Sequence, residues 1–219
     1  MTVVPLLRTA YGDLSRVLGV LTADEAWEPT GCAGWTPVDL GFHLLGDARR
    51  ALVALSTPAE GSPDTDAVSY WTAGRPPAPR EDEELWSTRI AASTQGGLPA
   101  IAARYAETTA AVVVSAGRVR GADLVRTQGR VLRVDDLLST LVVEAAVHHL
   151  DLVRSVDRPG PGAEPLAEVR RVLAGLFGRP LPERWDDATA ARRGTGRERL
   201  TAADRLELGP GVGRFPLFG

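Results

Sequence analysis

The sequence predicts an all-α protein, an antiparallel four-helix bundle followed by a small, mostly helical C-terminal appendage. Apolar residues recur at helical spacing through four long segments, and only one short stretch alternates as a strand would. A Pro159-Gly160-Pro161-Gly162 run then breaks the pattern, which divides the chain into a bundle over 1–158 and an appendage over 159–219.

Leu6, Leu7, Tyr11, Leu14, Val17, Leu18 and Leu21 form one stripe, so a helix is expected over about 3–20. Thr22 and Glu25 have capping-box spacing and start an extra turn reaching Trp27. A Gly- and Pro-containing loop over 28–34 leads into a second helix, capped by Thr36, with Pro37 at its first position, Asp39 as the capping acid and Trp35 stapled onto Leu40. That helix runs to about Leu55. Residues 56–80 are rich in Pro and Gly and read as a long irregular connection, interrupted by Tyr70-Trp71. A short helix from Glu81 to about Ser93 and an alanine-rich long one over Pro99–Ala116 follow. Leu124 to Val134 reads as an extended arm turning at Gly129, and Asp135–Val156 as the fourth long helix. The appendage carries helices over Pro165–Phe177, around Trp185–Arg193, and from the Thr201/Asp204 capping pair.

The composition suits a globular chain of 219 residues: 44% hydrophobic, 24% charged, mean hydropathy −0.06. A net charge of −3 offers nucleic acid and anionic lipid no attraction, so neither is an expected partner. No apolar run is long enough to span a bilayer, and the first residues lack the pattern of a signal peptide. One cysteine, Cys32, excludes an internal disulfide framework and a Cys-rich zinc site and fits a cytoplasmic setting. The alanine-rich helix and the appendage offer faces to cover, so the expected state is a monomer or a homodimer.

The three histidines are the most informative residues. Glu144 and His148 stand one turn apart on the same helix face as Leu137, Leu141 and Leu152, an inward face. His43 interrupts the apolar run Leu40-Gly41-Phe42-His43-Leu44-Leu45 of the second helix. Buried charge demands a partner, and if these helices are neighbours the three side chains converge. Two imidazoles and one carboxylate with an open fourth position is the donor set of a catalytic zinc site, and bundles build metal sites between facing helices. The bland alternative is a hydrogen-bonded Glu–His pair beside a satisfied core histidine. Asp151 shares the Glu144/His148 face, as a residue that orients a ligand, contacts a cofactor or merely edges the core. His149 points about 100° away and reads as packing or surface. Trp35 reads foremost as staple and core, with lining of the pocket as the second reading, and Cys32 as structural. Gly194-Thr195-Gly196 is too short for a phosphate loop.

Three segments together resemble the mycothiol-dependent maleylpyruvate isomerase family of the DinB-like metal-binding four-helix bundles. They are Pro29-Thr30-Gly31-Cys32-Ala33-Gly34-Trp35-Thr36-Pro37-Val38-Asp39-Leu40 with His43, the stretch from Gly129 through Glu144-Ala145-Ala146-Val147-His148-His149-Leu150-Asp151-Leu152, and the tail pieces Gly194-Thr195-Gly196-Arg197 and Leu200-Thr201-Ala202-Ala203-Asp204. The resemblance implies a divalent metal, foremost zinc, on His43, Glu144 and His148, and mycothiol as the thiol cofactor. Such a metal deprotonates a thiol in its fourth position at neutral pH. An isomerase would add that sulfur to a cis-unsaturated diacid, let the resulting single bond rotate and expel the sulfur. A transferase would leave it attached to a small electrophile. A diacid calls for arginines, for which Arg75, Arg80 and Arg214 are candidates. Two rivals remain open: a metal-dependent hydrolase with metal-bound water and Asp151 as base, and a non-catalytic bundle stapled by metal that binds a partner protein.

Overall fold

A computed structural model describes residues 3–72 and 81–218. Eight α-helices are present among them: α1 Val3–Val20, α2 Pro37–Leu55, α3 Glu81–Ser93, α4 Gly97–Ala116, α5 Val134–Leu152, α6 Ala163–Phe177, α7 Asp187–Gly194 and α8 Ala202–Leu208. Two short strands, β1 Leu124–Thr127 and β2 Arg130–Arg133, form an antiparallel hairpin. No helix among the described residues is long and apolar enough to cross a membrane.

The four long helices close a ring in which α2 packs on α4, α4 on α1, α1 on α5 and α5 back on α2. Local chemistry fixes the start of α2: the Asp39 carboxylate accepts from both the Thr36 N–H and hydroxyl, each at 3.0 Å, while Pro37 occupies the first helical position. Gly41 lets α2 approach α4, because a methyl group there would stand 3.2 Å from Ile101. Leu7, Leu14, Leu40, Leu45, Ile101 and Leu138 fill the space between the helices and are fully or almost fully buried.

Helix α5 is buried on nearly every side, as its near-continuous apolar sequence requires. Leu137, Leu138, Leu141, Val142 and Ala145 face the bundle core. Val143, Ala146 and Val147 face a second core formed with α6, α7 and Trp185. The helix ends at Leu152, four residues short of the expected Val156, and Val153 is its C-cap.

The expected extended arm is a hairpin whose turn residues Gln128 and Gly129 both take positive φ, 48° and 77°. Two left-handed residues match the twist of the flanking strands. The long connection after α2 runs along this hairpin: Ala59 N–H donates to Leu124 O, Arg126 N–H to Thr57 O, and Asp64 and Val131 exchange hydrogen bonds. These bonds cover the hairpin edges and bring the 3-10 turn Ser69–Trp71 against the bundle.

Candidate functional site

Because α2 and α5 are neighbours, His43 faces Glu144 and His148 across the gap between them. One ligand atom from each of the three lies within 4.8 Å of the others. His148 Nε2 is 3.2 Å from Glu144 Oε2, one turn away on α5. The His43 and His148 rings meet edge-on with centroids 5.0 Å apart, and the Trp35 ring lies 5.0 Å from His43 on its other side. All four residues line a cavity of about 660 Å³, whose apolar wall includes Leu137, Leu141, Val143 and Val147.

Each of the two clustered histidines also lies beside an aspartate, and each of those aspartates is paired with an arginine. His43 Nε2 lies 3.3 Å from Asp47, which is paired with Arg50. His148 Nδ1 lies 3.0 Å from Asp151 Oδ2, and Arg197 grips Asp151 with Nε at 2.7 Å and Nη2 at 2.8 Å. Burial opposes the charge of Asp151, but the hydrogen bonds from His148 and Arg197 outweigh it and hold the carboxyl well below the usual range. Burial likewise pulls the His148 pKa down, and the hydrogen bonds to Asp151, Cys32 and Glu144 override it to raise that pKa well above 6.5. Asp151 therefore orients His148. Asp151 lies on the Nδ1 side of the ring, whereas Glu144 lies on the Nε2 side.

The loop before α2 closes over the same carboxylate. Gly31 N–H donates to Asp151 O at 2.9 Å, and Cys32 Sγ donates to Asp151 Oδ2 at 3.2 Å while lying 3.6 Å from His148 Nδ1. A methyl group on Gly31 would stand 2.2 Å from Asp151 Oδ1 and 2.9 Å from its Cα, so only glycine permits this approach. Cys32 thus lines the cavity and contacts both Asp151 and His148. Trp35 also lines the cavity, the second of the two roles read for it. His149 is buried, with Nε2 2.9 Å from Pro159 O, a packing role as expected.

Of the arginines considered for a carboxylate, Arg214 faces away: its guanidinium donates to the Phe177 and Leu176 carbonyls at the end of α6. Arg75 and Arg80 lie outside the described residues. Arg197, which sequence reasoning did not single out, is the tail arginine that reaches the site. Arg197 follows shortly after α7, whose last residue, Gly194, packs against Leu173: a methyl group there would stand 2.7 Å from the Leu173 side chain.

The two candidate metal clusters differ in fit. Cys32, His148 and Asp151 also converge, but the Arg197 guanidinium already occupies both Asp151 oxygens, so that cluster has its cation. His43, Glu144 and His148 present two imidazoles and one carboxylate to a cavity, which fits a divalent ion with further coordination positions.

Residues 7–153 match the model of a protein family described as the mycothiol maleylpyruvate isomerase N-terminal domain. The chain belongs to that family. The match runs from α1 to the end of α5 and so spans the bundle and all three clustered residues, while Arg197 lies beyond it. No curated protein and no solved structure matches the chain.

Proposed function

We propose that the chain is a metal-dependent enzyme using a low-molecular-weight thiol, mycothiol, as cofactor or co-substrate. It would act as a cis-trans isomerase of a maleylpyruvate-like diacid or as an S-transferase on a small electrophile. The observation that carries this reading is the meeting of His43, Glu144 and His148 at one end of a 660 Å³ cavity, in a chain of the mycothiol maleylpyruvate isomerase family. These three residues would hold the ion, with zinc the first choice for such a donor set. When bound, a divalent ion lowers the pKa of a coordinated thiol and makes its sulfur nucleophilic at neutral pH.

The chain's own residues do the rest. Asp151 fixes the His148 ring through Nδ1, leaving Nε2 toward Glu144, and Arg197 keeps Asp151 ionised. Asp47, paired with Arg50, lies 3.3 Å from His43 Nε2 on the α2 side and places a negative charge beside that ring. Trp35 packs on His43 and limits its rotation, while Leu137, Leu141, Val143 and Val147 exclude water from the wall beside the reacting atoms.

The test is metal analysis of the purified protein beside His43→Ala and Glu144→Ala, with calorimetric titration of mycothiol into each. Near-stoichiometric metal and thiol binding in the parent, lost in both variants, is the expected result. A parent that folds normally, carries no metal and ignores thiols would overturn the reading and leave these residues as polar members of the core.

A further inference from the structure

Besides the histidines, the cavity has polar lining residues from the connection after α2 and the β1–β2 hairpin. Tyr70, Gln128 and Arg130 all line it. Gln128 Nε2 donates to the Tyr70 hydroxyl oxygen at 3.1 Å. The Arg130 guanidinium stacks over the Tyr70 ring, 4.9 Å from its centroid, and its Nη1 donates to the Tyr70 carbonyl at 2.7 Å. Gln128 makes its contact from a left-handed backbone, φ 48°, a conformation rare for a residue with a side chain and one that the hairpin turn imposes.

The chemistry of these residues is specific. A phenol hydroxyl accepts up to two hydrogen bonds and donates one. With Gln128 donating to the oxygen, the direction of that bond is set, and the Tyr70 O–H remains to be donated elsewhere. Burial and the nearby Glu144 charge raise the Tyr70 pKa above 10, so the phenol keeps its proton at neutral pH. Amide N–H, guanidinium and phenol O–H are donors, and a donor-lined wall suits an oxygen that carries or acquires negative charge.

We propose that Tyr70, set by Gln128 and backed by Arg130, donates a hydrogen bond to a carboxylate or carbonyl oxygen of a small anionic electrophile held in the cavity it shares with the His43–Glu144–His148 cluster. The proposal rests on the metal–thiol reading above and adds to it a residue of this chain that would meet the acid or carbonyl oxygen of the substrate. When a thiol sulfur adds to the β-carbon of an α,β-unsaturated acid, the C–S bond forms, the C=C π bond breaks and its electron pair moves onto the carbonyl oxygen. Tyr70 hydrogen-bonds that oxygen. Return of the electron pair re-forms the double bond and expels the sulfur, so Tyr70 need not lose its proton.

The experiment is calorimetric titration of maleate, pyruvate and acetate into zinc-loaded parent, Tyr70→Phe and Gln128→Leu proteins. Zinc affinity of each is measured separately by chelator competition. Tyr70→Phe removes one oxygen from a half-buried ring, so the fold and the zinc affinity should be unchanged. A hydrogen bond to a charged group is worth about a tenfold change in affinity or more, and that loss is expected for the acid the parent binds best. Gln128→Leu removes the bond that sets the Tyr70 hydroxyl and should lose less than Tyr70→Phe. Equal affinity in parent and Tyr70→Phe, or no binding of any of the three acids by the zinc-loaded parent, overturns the proposal. Failure of the parent to take up zinc overturns the metal reading instead, so the two failures are distinguishable.

Discussion

Replacing Arg197 by Met tests the account of how the tail supports the bundle. Arg197 and Asp151 share two hydrogen bonds of 2.7 and 2.8 Å, and their side chains are 16% and 1% exposed. Methionine keeps much of the side-chain length and packing but strips the charge, leaving a buried carboxylate with only His148 and Cys32 beside it. Removing one partner of a buried ion pair costs about 3–5 kcal/mol, and the partial exposure of Arg197 argues for the lower end. About 3 kcal/mol is roughly a hundredfold shift of the folding equilibrium. Urea denaturation of the metal-free protein measures it directly. A companion Asp151→Leu/Arg197→Met protein removes both charges and should be more stable than Arg197→Met alone, because no uncompensated carboxylate remains. If Arg197→Met instead lies within about 0.5 kcal/mol of the parent, the pair behaves like an exposed ion pair and the reasoning fails.

Asp151→Asn should lower metal affinity by about 10- to 100-fold without unfolding the chain, since the amide orients His148 less strongly; chelator competition reads this. Gly31→Ala should destabilise by about 1–3 kcal/mol, because the new methyl meets the backbone Cα of Asp151 at 2.9 Å as well as its carboxylate, and a thermal melt will show the lowered midpoint. Arg214→Ala should cost about 1 kcal/mol by freeing two carbonyls at the end of α6, with metal and thiol binding unchanged, and altered thiol binding would restore Arg214 to the site. Asp204, fully buried, resists its own burial through hydrogen bonds from Thr201, Trp185 and Arg184 that hold its carboxyl below the usual range. Its contribution is therefore present above the unfolded carboxylate value, about 3.9, and is lost as pH falls through its lower folded value. Denaturant midpoints between pH 7 and pH 2 should fall more steeply for the parent than for Asp204→Asn.

Helices and caps were legible because their signals are local. The Thr36-Pro37-Val38-Asp39 start of α2 and the Thr201/Asp204 start of α8 needed no knowledge of the rest of the chain. The meeting of His43 with Glu144 and His148 was legible for a different reason: each is a polar exception on a face that must be inward, and exceptions to one core tend to share it. Tertiary effects left no such mark. Cys32 resembles any small buried residue until the loop is folded onto Asp151, and that contact depends on Gly31 approaching a helix 120 positions further on, as the Gly31 N–H to Asp151 O bond shows. Arg197 was hidden among 25 arginines, since nothing local separates an arginine that braces a buried carboxylate from one in solvent. The hairpin register and the Gln128–Tyr70 contact arise from a turn and a loop that meet only because the long connection pairs along both strands.

The charges around the cavity link these parts. Among the described residues, Asp47, Glu144 and Asp151 set three negative charges against the three positive charges of Arg50, Arg130 and Arg197, so the site is balanced when both histidines are neutral. A divalent ion would leave it doubly positive, and an ionised thiol would halve that excess. One positive charge would then remain, and in a water-poor pocket uncompensated charge is costly. A single negative group on the electrophile cancels it. Arg130, stacked on Tyr70 in the same cavity, lies beside the hydroxyl proposed to meet that group. The same count explains why the tail matters to the bundle: without Arg197, Asp151 would add an unbalanced negative charge beside His148, the histidine would hold its proton more tightly, and the ion would have to displace it.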